Sequence, residues 1–327
     1  MENVLVTAIG SFSADIVIKS LKRMNYKIIG CDIYPKEWIA DAYQVHQFYH
    51  APYATNEKEY MKFIKKICCD EKVTMIFPLT DVEVDVFNEN RKWFEENHIT
   101  VCISSKETID ICRNKKIIEE HIREFKLNIN TIHTEYLNEI KTIPSKYPVV
   151  LKPYNGRSSQ GLKYIQNSTE WKHVVEEIDT SNYIVQPYVE GSIVTVDIVR
   201  SDEKHVIAIP RKELLRTLNG AGTSVYVYND LKLEEVCIAL ANVLDIIGCV
   251  NFEFIIDDNG EYHFIECNPR FSGGVEFSCM TGYDFVKNHV KCFRDKKIDE
   301  KCQFSNQYIA RKYEEYVTYI DDYQFEN

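Results

Sequence analysis

Short apolar runs alternate with helix-period stretches through the first third of this chain, and that alternation narrows its fold more than any other feature. The segments 3–9 (NVLVTAI), 27–33 (KIIGCDI), 73–79 (VTMIFPL) and 99–104 (ITVCIS) are apolar and strand-like. Between them Ile16, Val17, Leu21 and Met24 recur at helical spacing, and a second helical stretch runs through Phe87 and Phe94. Strands alternating with helices imply βαβ units and a parallel sheet, so residues 1–113 are expected to form a Rossmann-like α/β domain.

The pattern changes at Asn114. An amphipathic helix at 114–125, a strand at 146–152 (KYPVVLK), a Gly/Ser-rich loop at 155–161, a helix at 169–178 and a strand at 183–186 make a small α+β unit over 114–189. Longer strands follow at 193–200, 205–210, 250–256 and 262–266, with a helix at 233–246 among them. Residues 190–327 therefore read as a mostly antiparallel sheet with flanking helices. The polar, Tyr-rich stretch after residue 301 fits a helix, an edge strand or disorder. The expected class is α/β plus α+β.

Charge and cysteine usage exclude several functions. With 39 Lys+Arg against 50 Asp+Glu the net charge is −11, the wrong sign for a general nucleic-acid binder. The eleven cysteines include the adjacent Cys68 and Cys69 and no CxxC pair, and most lie in apolar stretches. They read as reduced, buried thiols of a cytoplasmic protein. The first residues lack a basic n-region and a cleavage site. The longest apolar stretch, 237–250, is interrupted by Asn242 and Asp245 and is too short to span a bilayer. Neither a membrane nor a nucleic acid is an expected partner.

Three motifs bear on chemistry. The turn Gly10-Ser11-Phe12-Ser13, with Asp32 ending the second strand, invites a dinucleotide reading, but it has one glycine where the fingerprint needs three. A plain scaffold turn is the simpler account. The stretch from Val149 to Gly161 (VVLKPYNGRSSQG) delivers Lys152 at a strand end and follows it with a loop of small residues. Backbone N–H groups in such a loop form an anion nest, and the lysine supplies a point charge to phosphate; the alternative is a surface hairpin with a solvated lysine. The third motif is Asn251-Phe252-Glu253-Phe254 followed by Ile265-Glu266-Cys267-Asn268-Pro269-Arg270. Glu253 lies on the opposite strand face from both phenylalanines, and Glu266 and Asn268 share a face. Two carboxylates and an amide oxygen are hard ligands suited to Mg²⁺ or Mn²⁺, with nucleotide phosphates completing the shell. Arg270 is placed to meet such a phosphate. His46 and His50 are spaced like helical metal ligands but have no third partner nearby.

On PVVLKP with its loop, YIVQPYVEG and NFEF…FIECNPR, the chain resembles the ATP-grasp superfamily over roughly residues 2–295. It is most similar to carbamoyl-phosphate synthase large-subunit-like carboxylate–amine ligases. The resemblance implies an ATP-grasp fold with an N-terminal Rossmann-like preceding domain, then a lid, then the subdomain that carries the metal site. It implies that Lys115 and Lys152 bind ATP phosphates and that the loop of Gly156, Ser158, Ser159 and Gly161 covers them. It also implies that Gln186, Pro187, Tyr188 and Val189 hold the adenine. Many relatives carry a ribose-binding Glu where this chain has Ser192-Ile193, and Glu190 is the substitute. Glu253, Glu266 and Asn268 match the magnesium ligands, Arg270 the residue that stabilises the transferring phosphoryl group, and Arg211 a basic position near the γ-phosphate.

The implied activity is ATP-dependent joining of a small-molecule carboxylate to an amine or ammonia through an acyl-phosphate, with ATP and Mg²⁺ as cofactors. Phosphoryl transfer to a stable acceptor, as in a kinase, and a silent ATP-binding module are the alternatives. The substrate pockets are expected in the variable loops, with Gly220–Gly222 and Gly273-Gly274 as mobile or close-approach segments. A homodimer is the default expectation from general frequency alone.

Overall fold

In the N-terminal region the apolar runs become five parallel strands. They are β1 (Asn3–Thr7), β2 (Lys27–Asp32), β3 (Gln47–His50), β4 (Val73–Phe77) and β5 (Thr100–Val101), in the order β3-β2-β1-β4-β5. Helices α1 (Ala14–Arg23), α2 (Glu57–Asp70), α3 (Asp81–Glu89) and α4 (Arg91–Glu96) connect them. β3 and α2 were not anticipated: β3 is a polar edge strand (QFYH), and α2 carries scattered cysteines and lysines. The expected helix through Phe87 and Phe94 breaks at Asn90 into α3 and α4. Asp32 accepts the Gly10 N–H at 2.8 Å and the Tyr34 N–H at 3.1 Å, so its carboxylate caps the turn from within.

The computed structural model describes residues 1–127, 129–157, 159–218, 220–295 and 297–320. It divides into two compact units, Met1–Cys102 with the tail from Arg311, and Ile103–Ala310. No helix among the described residues is long and apolar enough to cross a membrane. All eleven cysteines are free.

The second unit opens with α5 (Lys106–Cys112) and α6 (Lys115–Glu124). The Asn114 side chain caps α6, accepting the N–H groups of Lys116 and Ile117. The short strands β6 (Asn130–Thr131) and β7 (Glu135–Tyr136) follow, then β8 (Val149–Pro153), β9 (Lys163–Ile165), α7 (Ser168–Glu177) and β10 (Tyr183–Pro187). A four-stranded sheet in the order β7-β10-β8-β9 buries Val149, Leu151, Ile165, Trp171 and Val185 as a small core.

The larger sheet contains β11 (Ser192–Arg200), β12 (Val206–Arg216), β13 (Gly222–Val227), β14 (Gly248–Ile256), β15 (Tyr262–Asn268) and β16 (Gln307–Ala310). Helices α8 (Leu231–Val243), α9 (Val275–Cys279) and α10 (Phe285–Arg294) accompany it. Its order is β16-β13-β12-β11-β14-β15-β6. All its pairings are antiparallel except β15 with β6. β12 runs six residues further than its hydrophobic pattern indicated, because Arg211, Lys212, Glu213, Leu215 and Arg216 are polar or exposed yet still pair with β13.

Strand alternation gives this sheet two unlike faces. Val194, Val196, Ile198, Phe252, Phe254 and Phe264 point into the main core with Leu233, Cys237, Leu240 and Ala241 of α8. The Phe254 ring meets Phe264 edge-on at 5.6 Å between centroids, a favoured aromatic geometry. Phe254→Ala should therefore cost about 3–5 kcal/mol, read as a lower denaturant midpoint at unchanged slope.

Candidate functional site

The opposite face of the large sheet is apolar towards Val199, Ile207 and Cys249 but carries a polar patch mid-strand, which hydrogen-bond register builds in two rows. Glu266 lies directly opposite Glu253, Glu253 opposite Thr195, and Thr195 opposite Arg211. One step along, Asn268 faces Asn251, which faces Asp197. Glu253, Glu266 and Asn268 are thus brought together from two neighbouring strands. Regular alternation from Phe264 would turn Glu266 into the core, but the register shifts by one residue at Ile265. Such a bulge re-aims the side chains beyond it, so Cys267 enters the core and its two polar neighbours face out.

Like charges placed directly opposite on a sheet repel, so this pair needs positive charge beside it. Lys115, first residue of α6, supplies it: its Nζ lies 3.0 Å from Glu266 Oε2 and donates to the Gly156 carbonyl at 2.9 Å. The backbone N–H of Lys115 also donates to the Tyr154 carbonyl at 3.0 Å. Burial alone would raise the Glu266 pKa, but Lys115 and Lys152 outweigh it and hold the carboxyl well below its usual range. Glu253 behaves in the opposite way. Burial and the neighbouring Glu266 push its pKa up to about 7. Burial, with Lys115 beside it, lowers the Lys152 pKa to about 8, against the pull of Glu266.

The donor set fits a hard divalent cation. Asn268 donates to Glu266 at 3.2 Å and to Asn251 at 3.3 Å, and its oxygen accepts from Arg270 at 3.4 Å. Burial first, and the facing Glu266 second, disfavour a charged Glu253, a penalty that a bound cation would relieve. Among the described residues no group of three His, Cys, Asp or Glu side chains could hold a metal unaided. Two carboxylates and one amide would leave positions for phosphate oxygens and water, the usual habit of Mg²⁺. His46 and His50 have other work: His46 Nδ1 accepts the Ile28 N–H, and His50 Nε2 lies 2.9 Å from the Ile33 carbonyl.

Around this face the remaining expected residues take distinct places. Lys152 sits on β8 opposite Ile184. The loop after it turns through Ser159 at φ 56° and Gly161 at φ 74°, both left-handed; Ser158 lies outside the described residues. Gln186 is buried and donates to Thr134 Oγ at 2.7 Å. Pro187, Tyr188 and Glu190 are exposed and Val189 is half-buried, while the Tyr188 N–H is bonded to the Pro148 carbonyl. Arg270 donates to the Phe271 carbonyl at 3.1 Å as well as to Asn268.

Arg211, expected near the γ-phosphate, is buried in a polar cluster. Its side chain is 2% exposed and pairs with Asp197, with Glu213 at 3.1 Å and with Ser272 at 3.0 Å. Gly222 and Gly274 exist for this cluster: a Cβ on Gly222 would lie 2.0 Å from Glu213 Oε2, and one on Gly274 2.9 Å from Arg211 Nη2. These glycines are close-approach positions. Thr195, Asp197, Asn251, Glu213 and Arg216 belong to the polar face and were not anticipated. For Thr195 and Asp197 the signal was legible, as polar residues two apart in an otherwise apolar strand.

Two family matches cover much of the chain. Residues 179–316 match the family described as ATP-grasp in the biosynthetic pathway with Ter operon, and residues 4–102 match the PylC-like N-terminal domain. The chain is 27% identical over 227 residues to the carbamoyl phosphate synthase large chain of Clostridium acetobutylicum, covering 63% of this chain and 21% of that protein. It is 28% identical over 205 residues to the D-alanine–D-alanine ligase of Aquifex aeolicus, covering 57% of this chain and 68% of that protein. The chain thus spans about a fifth of the length of the carbamoyl phosphate synthase large chains it matches. Among solved structures it is similar to the Campylobacter jejuni biotin carboxylase (TM-score 0.73, 18% identity, 93% of this chain and 74% of that one). A second is the Staphylococcus aureus N5-carboxyaminoimidazole synthetase complexed with ADP (TM-score 0.72, 16% identity, 94% of this chain and 79% of that one). These structural likenesses establish the fold.

The loop geometry is open to a direct test at Gly161. A Cβ there would sit 2.7 Å from the Tyr183 hydroxyl oxygen, and the positive φ adds about 1–2 kcal/mol for a non-glycine residue. Gly161→Ala should lower the denaturation midpoint, and adding Tyr183→Phe should restore only part of the loss.

Proposed function

We propose, from the match of residues 179–316 to an ATP-grasp family and of residues 4–102 to the PylC-like N-terminal domain, that the chain is an ATP-dependent carboxylate–amine ligase. The observation that carries the reading is the opposed pair Glu253 and Glu266 with Asn268, flanked by Lys115, Lys152 and Arg270. Carboxylates and cations on one sheltered face suit a reaction in which phosphate charge must be neutralised while it moves.

The reaction balances as two displacements. A substrate carboxylate oxygen bonds to the γ-phosphorus as the bond to the bridging oxygen breaks, releasing ADP. The amine nitrogen then bonds to the acyl carbon, phosphate leaves, and the nitrogen loses a proton. The carboxylate is already ionised at neutral pH, so the first step asks for positioning and charge, not a strong base. Lys115 and Lys152 would hold phosphate oxygens, and Gly156, Ser159 and Gly161 would bring backbone against them. Gln186, Pro187, Tyr188 and Val189 would flank the adenine, with Glu190 near the ribose. Arg270 would steady the transferring group, and Arg211 would hold the loop behind Arg270 through Ser272. Mg²⁺, held by Glu253, Glu266 and Asn268, would act as a Lewis acid on the phosphates.

Several relatives join or activate small carboxylates by their names, including the D-alanine–D-alanine ligase and an L-amino acid ligase from Bacillus licheniformis. Purified protein with Mg–ATP should release ADP against a panel of amino acids and other carboxylates paired with amines, and mass spectrometry should find the amide. A phosphorylated acceptor without amide would replace the ligase reading with a kinase. Lys152→Ala should weaken nucleotide binding by about 1.5–3 kcal/mol in a protein that still folds. Glu266→Gln should slow turnover about a hundredfold and weaken ATP binding far less, with Glu253→Gln milder. Wild-type turnover in both would remove the metal-site reading.

A further inference from the structure

One buried amide touches both the candidate cation site and the turn that carries Arg270. Asn251 on β14 shares a strand face with Glu253, two residues on, and lies directly opposite Asn268 of β15. It is 1% exposed. Its Oδ1 accepts from Asn268 Nδ2 at 3.3 Å, and its Nδ2 donates to the Arg270 carbonyl at 3.4 Å. Between these two partners the chain turns sharply, with the Arg270 N–H donating back across Pro269 to the Asn268 carbonyl at 2.8 Å. Asn251 therefore braces, from the neighbouring strand, both the last residue of β15 and the first residue past the proline. On its other side Asn251 faces Asp197, whose Oδ2 accepts from Arg211 and from Ser278.

A side-chain amide has two unlike ends, and only its oxygen serves a hard cation. Which end Asn268 presents is therefore decisive. Its Nδ2 donates to Glu266 Oε1 at 3.2 Å and to Asn251 Oδ1 at 3.3 Å, which engages both amide protons. The nitrogen is thereby held against the strands, and Oδ1 is the end that meets positive charge, here Arg270 Nη2 at 3.4 Å. Without Asn251 the amide would be held by Glu266 alone, and the Arg270 carbonyl would lose its side-chain donor. Outer partners of this kind orient a ligand, and their loss typically weakens metal affinity about tenfold to a hundredfold.

We infer that Asn251 is a positioning residue for this site: it fixes the Asn268 amide with its oxygen toward the cation and holds the Arg270 backbone at a set distance from it. The inference rests on the metal and nucleotide site proposed above. It adds that one residue, which touches neither cation nor phosphate, links the placement of a metal ligand to the placement of the arginine beside it.

Electron paramagnetic resonance of Mn²⁺ titrated into the full chain with saturating ADP reads metal binding without turnover. Asn251→Ala should weaken Mn²⁺ about tenfold to a hundredfold and leave the affinity for ADP in EDTA, measured by calorimetry, within twofold. In an Asn268→Ala background, adding Asn251→Ala should cost no further Mn²⁺ affinity, because the residue acts through that amide. Wild-type protein that binds neither Mn²⁺ nor ADP would overturn the function proposed above and this inference with it. Wild-type binding with an unchanged Asn251→Ala would overturn only the role of Asn251. The full loss repeated in the Asn268→Ala background, or an equal loss of ADP affinity in EDTA, would do the same, since either means a disturbance that does not pass through Asn268. A thermal melt identifies misfolding. If Asn251→Ala does not fold, Asn251→Ser decides by the same criteria, because its hydroxyl is one bond too short to reach either partner.

Discussion

Two carboxylates facing each other across a pair of antiparallel strands are the constraint on which the functional half of this protein depends. Glu253 and Glu266 occupy directly opposed positions, an arrangement that costs stability unless cations neutralise it. Lys115 does so from the first turn of α6, and its backbone and side chain also bind the carbonyls of Tyr154 and Gly156. One lysine thus ties together a helix start, the loop after β8 and the sheet. Such a contact is partly buried, so removing either partner strands a charge in low dielectric, which costs more than the intact pair gains. A site of this kind holds its charges in place before any ligand arrives, and preorganised charge is what electrostatic catalysis uses.

Most of the architecture was legible from periodicity because the apolar positions are consistent. In β11, Val194, Val196 and Ile198 mark the core face without ambiguity, and in α6 the Asn114 cap marks the start. What failed had specific causes. β3 and β13 are not apolar: QFYH is an exposed edge, and GTSVYV begins in a glycine-rich turn. The end of β12 is held by hydrogen bonds to β13, not by burial, and burial is the only thing hydrophobic patterning detects. The four residues of β16 pair with β13 at the sheet edge, one of three states the sequence left open.

The candidate site was legible to the extent that it lies in unbroken pattern. Glu253, flanked by two phenylalanines, and the two-residue spacing of Glu266 and Asn268 gave the right face locally. The relation between Asn268 and Phe264 did not follow from alternation, because Ile265 interrupts the period. The same limit explains Arg211. The resemblance implies Arg211 as a basic residue near the γ-phosphate, and register puts its backbone opposite Thr195. Its side chain is spent on Glu213, two residues along the same strand, and on Asp197, which no local motif connects to it.

Bulges solve a problem that regular strands cannot. A strand with one greasy and one polar face can present charge only at every second residue, and the intervening positions are bound to the core. The polar face here needs a carboxylate from β15 after Phe264 and an arginine from β12 after Glu213, each at the wrong parity. One extra residue on β15, Ile265, and two successive register shifts between β12 and β13, at Leu214 and at Thr223, accompany these changes of parity. The cost is local: Leu214 and Leu215 remain exposed. They are the residue of a strand that gave up burial to turn the Arg216 guanidinium toward the carboxylates. Replacing them with polar residues would leave these shifts untouched, because β12 pairs with β13 through backbone groups. The placement of that charge is therefore set by chain register and not by the identity of its neighbours.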